Sequence, residues 1–316
     1  MNHIKKLGSE FLNLETAQDR KSEILEEVKS ILASLPIDTT YTKTLDTIGV
    51  KYFGAVNSSQ KTEKGEALGY DTYILYLSPS NLSGIQFCKF ASDGCRAACL
   101  NLSGRALMAE RSQGKVNDIS LSRLVKSWLV AFNRELAEKV ICFEIGRESR
   151  KAEEKGNLFS ARLNGTSDIF WGRVIRSFPD IQFYDYTKNP AFLKLSESFP
   201  SWHITFSFSG RNLEACRKAV GMGINIAFPV VGKKDVAKLI AQGKGFDMDK
   251  TDLRFLDTEK GGAGILTVKE TPGTAEGIEK GFLLSPSRFL EIREMLETHN
   301  CLPTGLEHSG RKEVKA

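Results

Sequence analysis

The chain has 316 residues and carries 44 Lys and Arg against 39 Asp and Glu, a formal net charge of +5. A hydrophobic fraction of 41% beside 26% charged residues is the composition of a globular protein with enough core to fold without disulfide staples. No apolar stretch approaches the roughly 20 residues of a membrane span, and Met1 to Lys6 has no apolar run behind it. Neither a membrane nor a secretion signal is therefore expected, and the expected compartment is the cytoplasm. The charge excess is mild and scattered, which permits contact with nucleic acid without arguing for it.

In chain order, Ile24, Leu25, Val28, Ile31, Leu32 and Leu35 recur at helical spacing until Pro36 stops them. β-leaning runs follow at 45–54 and 70–77, a hairpin-like addition, with polar residues 57–65 between them as an exposed loop. Leu121, Leu124, Val125, Trp128, Leu129, Phe132 and Leu136 mark an amphipathic helix with Ser120 as its N-cap. The charged run 147–155 continues as solvated helix closed by Gly156. Strands at 158–163, 181–186, 202–208 and 224–231 then alternate with helices at 171–178, 191–199, 213–220 and 235–242. Late strands at 253–256 and 264–269, a final helix over 286–297 and a disordered tail complete the reading.

Such alternation means βα units on a parallel sheet. The strand spacing of about 20 residues is near the short limit for a crossover. No Gly-rich nucleotide fingerprint follows any strand, so the fold class predicted is α/β, a full or partial (β/α) barrel rather than an open Rossmann sheet. The division is an N-terminal helix and β-rich extension (1–69), a barrel (70–300) and a tail (301–316).

Two constellations carry chemistry. Three of the six cysteines, Cys88, Cys95 and Cys99, lie within twelve residues, and the others, Cys142, Cys216 and Cys301, are scattered. In a reducing compartment clustered cysteines hold metal more often than they form disulfides. Cys95 and Cys99 share a helix face, and Ser92 or Asp93 caps that helix, where the dipole favours thiolate. Three thiolates suggest an iron–sulfur cluster with one open iron, or zinc completed from afar by Cys142, His203 or Cys216. The alternative is three unrelated cysteines packed as small hydrophobes.

The second constellation is a polar rim, because a barrel's active site lies at the carboxyl ends of its strands. Arg162 to Asp168, Tyr184 to Asn189 and Ser207 to Asn212 end three successive strands. Helix capping alone accounts for Asp168, Asn189 and Asn212. It does not account for Arg162, Asp185, Tyr186, Lys188 and Arg211, which favours a functional rim. Asp247 to Asp252 starts like a calcium loop but lacks its later ligands and reads as a turn.

The segments Cys95-Arg96-Ala97-Ala98-Cys99-Leu100, Arg162-Leu163-Asn164-Gly165-Thr166-Ser167-Asp168-Ile169, Phe183-Tyr184-Asp185-Tyr186-Thr187-Lys188 and Asp252-Leu253-Arg254-Phe255-Leu256-Asp257 resemble a bacteriophage family known as gene product eighty-eight. The resemblance runs from about Tyr70 to Lys269 and implies a phage or prophage origin without supplying an activity. More distantly, a three-cysteine loop after the first barrel strand is similar to radical SAM enzymes. Here six and three residues separate the cysteines, where most of that superfamily has three and two.

That likeness implies that Cys88, Cys95 and Cys99 ligate a [4Fe-4S] cluster that binds S-adenosylmethionine. Asn164, Thr166 and Asp168 are then expected to contact the cofactor, with Arg162, Ser209 and Arg211 completing its surroundings. Asp185, Tyr186 and Lys188, with Arg211, are expected to line the substrate site, Lys188 or Tyr186 donating a proton or hydrogen atom. A nucleotide or nucleic acid is the expected substrate. The rival readings are a zinc- or cluster-stapled protein that binds nucleic acid or a replication partner, and a metal-independent hydrolase or lyase using Asp168 and Asp185.

Overall fold

In the computed structural model, residues 2–297 are described, apart from 15–16, 59, 100–103 and 115. The tail expected to be disordered lies outside the described residues. Eight strands form one sheet in the order β1-β2-β3-β4-β5-β6-β8-β7, making a mixed α/β fold. They are β1 (Gly54–Val56), β2 (Tyr70–Leu75), β3 (Leu158–Arg162), β4 (Gln182–Thr187), β5 (Trp202–Ser207), β6 (Ile226–Val230), β7 (Phe246–Asp247) and β8 (Ala263–Thr267). Every pairing is parallel except β1 with β2, which is antiparallel as a hairpin-like addition requires. Among the described residues no pairing joins β1 to β7, so the sheet is open at those edges and a closed barrel is not formed there.

The N-terminal region is more helical than its composition suggests. α1 (His3–Asn13) precedes the expected helix, which is α2 (Gln18–Ala33). The run predicted as strand over 45–54 begins instead inside α3 (Tyr41–Ile48). Thr40 caps that helix, accepting from Lys43 N at 3.3 Å, and Gly49 ends it at φ 70°. Tyr41, Thr44, Leu45 and Ile48 sit at helical spacing, and that spacing outweighs the β propensity of the threonines. The predicted loop over 57–65 likewise contains α4 (Gln60–Glu66).

The long amphipathic run is two helices. α7 (Asp118–Phe132) is capped by Asn117, with Ser120 completing the box from the third helical position rather than capping the helix itself. Asn133 then leaves the helical region and caps α8 (Arg134–Glu154), accepting from Leu136 N at 3.2 Å. α7 buries Leu121, Leu124, Trp128 and Leu129 against α1 and α2, and one continuous apolar core runs from Ile4 to Leu296. The N-terminal extension therefore shares its core with the sheet.

Beyond Gly156 the alternation holds, with α9 (Gly172–Arg176), α10 (Pro190–Leu195), α11 (Leu213–Gly221) and α12 (Lys233–Ala241) in the expected places. The exception is 253–256, predicted as a strand, where Arg254–Leu256 form a 3-10 turn. Its Phe255 ring lies 5.3 Å from Tyr70 and 5.5 Å from Tyr184, so this segment covers the sheet face opposite the helices. Besides α1, α3 and α4, α6 (Gly104–Gln113) and α13 (Thr274–Glu279) have no counterpart in the sequence pattern, whereas α14 (Pro286–Glu297) was expected.

Candidate functional site

The cysteine loop is fixed to the carboxyl ends of β2 and β3 by backbone and side-chain bonds. Gly165 N donates to Leu75 O at 3.0 Å, Thr166 Oγ1 to Leu77 O at 2.5 Å, and Asp168 N to Phe87 O at 2.8 Å. A Cβ on Gly165 would stand 2.7 Å from the Tyr76 ring and 2.8 Å from Leu75 O, so only glycine allows this approach. The expected cysteine helix is α5 (Asp93–Ala97), and Ser92 Oγ caps it by accepting from Cys95 N at 3.2 Å. The helix stops at Ala97, so Cys99 lies beyond it and does not share a helix face with Cys95. Its other side meets α13, where Gly277 and Gly273 let the backbones come together.

Around this loop stand two partly buried cations. Burial alone would lower the Lys188 pKa. Cys95, to which it is hydrogen-bonded, Asp168 and Cys88 more than offset that and hold the ammonium above its usual value. The second is Arg123, lowered by burial and opposed by Tyr76 and Cys99, with its guanidinium 5.1 Å from the Tyr76 ring centroid. Burial raises the Asp168 carboxyl against two bonds that favour its charge, from Lys188 N at 2.9 Å and Thr187 Oγ1 at 2.7 Å. Asp168 therefore ties β3 to β4 and does not cap α9, which Trp171 precedes.

The thiols suit a soft metal by type, being outside any disulfide, partly exposed and flanked by cations. They are not preassembled for a single ion. Among the described residues no group of three or more His, Cys, Asp or Glu stands ready to hold a metal. Cys88 Sγ donates to Thr166 O at 3.6 Å, and burial pushes that thiol up to about 11. Metal uptake must displace this proton and this bond. None of the suggested zinc-completing residues is among the groups acting on Cys88. Cys142 lies beside Ser177, Cys216 is fully buried beside Asn212, and His203 is on β5.

The other predicted site residues divide away from this neighbourhood. Successive strand residues face opposite sides of a sheet, so Asp185 cannot share a face with Tyr186 and Lys188. Asp185 lies on the helix side, accepting from Asn164 N at 2.8 Å and Trp202 Nε1 at 3.1 Å, and burial pushes its carboxyl up to about 7 against the pull of Arg162. Asn164, expected to contact a cofactor, closes its own turn: Oδ1 accepts from Ser167 Oγ and Ile169 N, and Nδ2 donates to Ile169 O. Ser209 is buried in the β5–α11 turn, where its N donates to Asn212 Oδ1, and Arg211 is exposed. Asn189 does cap α10, but the Asn212 side chain makes no cap bond.

Arg162 and Tyr186 belong to the covered sheet face. Arg162 Nη1 donates to both Asp252 oxygens at 3.0 and 3.3 Å, Tyr184 OH donates to Asp252 Oδ2 at 3.1 Å, and the Arg162 guanidinium lies 4.8 Å from the Tyr186 ring centroid. Thus Lys188, Thr166 and Asp168 meet the cysteines, and Arg162, Tyr186 and Asp185 do not.

Sequence reasoning missed Arg123, Asp252 and Arg254. The available signal for Arg123 was a cation three residues from Lys126 in an otherwise apolar helical run. Lys126 is itself buried, its pKa drawn down to about 8 by burial against the attraction of Glu144.

Among the described residues no helix is long and apolar enough to cross a membrane. No curated protein and no solved structure matches the chain. The family described as Gene product 88 matches residues 53–282, well over half of the sequence and including the cysteine loop, the β3 and β4 ends and the covering segment. The chain belongs to the Gene product 88 family.

Proposed function

We propose that the chain is an iron–sulfur enzyme built on a partial, radical-SAM-like (β/α) barrel, its cluster held by Cys88, Cys95 and Cys99. The observation that carries this reading is one loop's three cysteines, none in a disulfide, at the carboxyl ends of the parallel strands, with Cys88 and Cys95 acting on partly buried Lys188 and Cys99 acting on Cys88 and Arg123. A thiolate-held cluster is anionic, and Lys188 and Arg123 supply the opposite charge where water is scarce. When bound, the cluster supplies one-electron chemistry and an open iron for S-adenosylmethionine.

The chain's own part is positional. Lys188 holds its proton firmly and so orients an anionic or acceptor group without giving up charge. Asp168 fixes the Lys188 backbone and therefore the direction of its side chain. Thr166 presents its carbonyl beside Cys88, while its hydroxyl locks the turn. A nucleotide is the substrate class proposed, its phosphates offset by the same cations.

The test is anaerobic reconstitution with iron and sulfide, followed by S-adenosylmethionine and dithionite. The expected result is reductive cleavage of S-adenosylmethionine that disappears in Cys95→Ser. A reconstituted protein that leaves S-adenosylmethionine intact would refute the enzymatic reading.

A further inference from the structure

A residue held in a sparsely populated backbone conformation, with nothing of its own to keep it there, has had that geometry imposed by its surroundings. Among the described residues two non-glycine residues have positive φ, Asn57 at 48° and Ser80 at 50°. Asn57 is explained by its side chain, which accepts from Thr72 N and donates to Asp71 Oδ1, each at 3.0 Å. Asparagine is also one of the residues that tolerate this region. Ser80 has no such support. It is 7% exposed, and its hydroxyl is buried without a hydrogen-bond partner. A side chain that bonds nothing is not the reason for the conformation, so the reason lies in the backbone.

Both backbone groups of Ser80 address the cysteine loop. Its carbonyl accepts from Phe87 N at 2.9 Å, which closes the turn over 80–87 and brings Cys88 alongside. Its N–H acts on Cys88 itself: burial disfavours charge on that sulfur most, and against it the Ser80 amide and then Lys188 favour charge. φ sets the angle between a residue's N–H and its onward chain, and the positive value lets Ser80 meet Phe87 with one group and Cys88 with the other. The sulfur's remaining polar neighbour works the opposite way. Thr166 O accepts from the Cys88 thiol at 3.6 Å and has nothing to offer a thiolate. Loss of the thiol proton therefore abolishes the bond to Thr166 and strengthens the contact with Ser80, because an amide donates better to a charged acceptor.

We infer that Ser80 is a positioning residue for the cysteine site, its backbone N–H held at positive φ to donate to the Cys88 sulfur once that sulfur is a metal-bound thiolate. The inference rests on the reading that Cys88 ligates metal, and it names the amide that takes over when Thr166 O is given up. Hydrogen bonds to ligand sulfur help to set the potential of an iron–sulfur cluster. The Ser80 amide stabilises the more negative, reduced state and so raises that potential.

The experiment loads the full chain with an NMR-active isotope of cadmium, a soft and redox-silent ion, and records a proton–cadmium correlation spectrum. A cross-peak from the Ser80 amide proton to the bound metal, carried through the N–H···S bond, is expected in the parent and in Ser80→Gly. Glycine keeps the N–H and adopts positive φ freely, whereas the branched Cβ of valine resists it. Ser80→Val should therefore lose the cross-peak. Its cadmium affinity, read by competition with a chelator, should fall about tenfold, as expected for a hydrogen bond to a charged acceptor, while Ser80→Gly stays within about twofold of the parent. Cadmium held by the cysteines with no Ser80 cross-peak in the parent or in Ser80→Gly overturns the inference, whatever valine does to the turn. Equal affinity in the glycine and valine variants overturns it too. Failure of the metal reading is separate: a chain that takes up no cadmium at the cysteines refutes that reading. Ser80 amide exchange in the metal-free parent and in Cys88→Ala then decides the contact. Faster exchange in Cys88→Ala upholds it, and an unchanged rate overturns it.

Discussion

Glu144 offers the sharpest test of the packing that holds the N-terminal extension to the sheet. Its carboxylate on α8 is fully buried and accepts four hydrogen bonds: Oε1 from Tyr41 OH at 2.8 Å and Phe53 N at 2.7 Å, Oε2 from Gly54 N and Tyr73 OH, each at 2.8 Å. Glu144→Gln is nearly isosteric but puts an NH2 against one pair of donors. A tyrosine hydroxyl can turn to accept, whereas the backbone N–H of Phe53 or Gly54 cannot. That orphaned donor costs about 1–3 kcal/mol, and converting the remaining bonds from charged to neutral acceptors costs about 1 kcal/mol each. The loss should total about 3–5 kcal/mol, a large share of the roughly 5–15 kcal/mol that holds a typical domain. Urea unfolding followed by circular dichroism measures it, and amide exchange at Phe53 and Gly54 localises it. A variant within about 0.5 kcal/mol of the parent, with both amides still protected, would refute the four-bond arrangement.

Other consequences follow from single sites. Asp185 has a folded pKa of about 7, above its ordinary 3.8, so the native state holds that proton more tightly. Its stabilising contribution is complete below about pH 4 and is lost as pH rises to about 7, at no more than about 1.4 kcal/mol for each pH unit crossed. Asp185→Asn should flatten the dependence of the urea midpoint between pH 4 and 8, and an unchanged slope would contradict this. Arg162→Met leaves Asp252 buried without its cation and should cost about 3–5 kcal/mol, whereas Arg162→Met with Asp252→Leu should recover much of that loss. Equal melting of the single and double variants would contradict the pairing. A Cβ on Gly273 would stand 1.8 Å from the Ala97 carbonyl, so Gly273→Ala should push α13 off the cysteine helix at about 1–3 kcal/mol. Amide exchange over 93–98 reads this directly, and protection equal to the parent would show that the contact yields freely.

The alternating half of the chain was legible because each strand from β3 to β6 is a short apolar run followed within about ten residues by a helical pattern, whereas the two-residue β7 carries no such signal. The N-terminal region was not, because Thr40, Thr42, Thr44 and Thr47 suggest strand by propensity while the spacing of Leu45 and Ile48 is helical. The cysteine loop and its Ser92 cap were readable from local chemistry. The rim was only half readable. Strand ends can be located from sequence, but strand parity decides which side chain reaches the rim, and it sends Asp185 to the helix face and Tyr186 beneath the covering turn. Asp252 and Arg254 stand in one of the segments that carry the family resemblance, but their role was not readable because it comes from a segment that crosses the sheet, which no local periodicity encodes. The apolar character of 253–256 suggests a strand and so conceals that crossing.

The most direct test of the central claim is iron and acid-labile sulfide content after strictly anaerobic purification, for the parent and for Cys88→Ser, Cys95→Ser and Cys99→Ser. The account predicts about four iron and four sulfide per chain in the parent, with a visible chromophore, and loss of both in each variant. A parent protein free of iron after reconstitution, or iron retained when all three cysteines are replaced together, would contradict it.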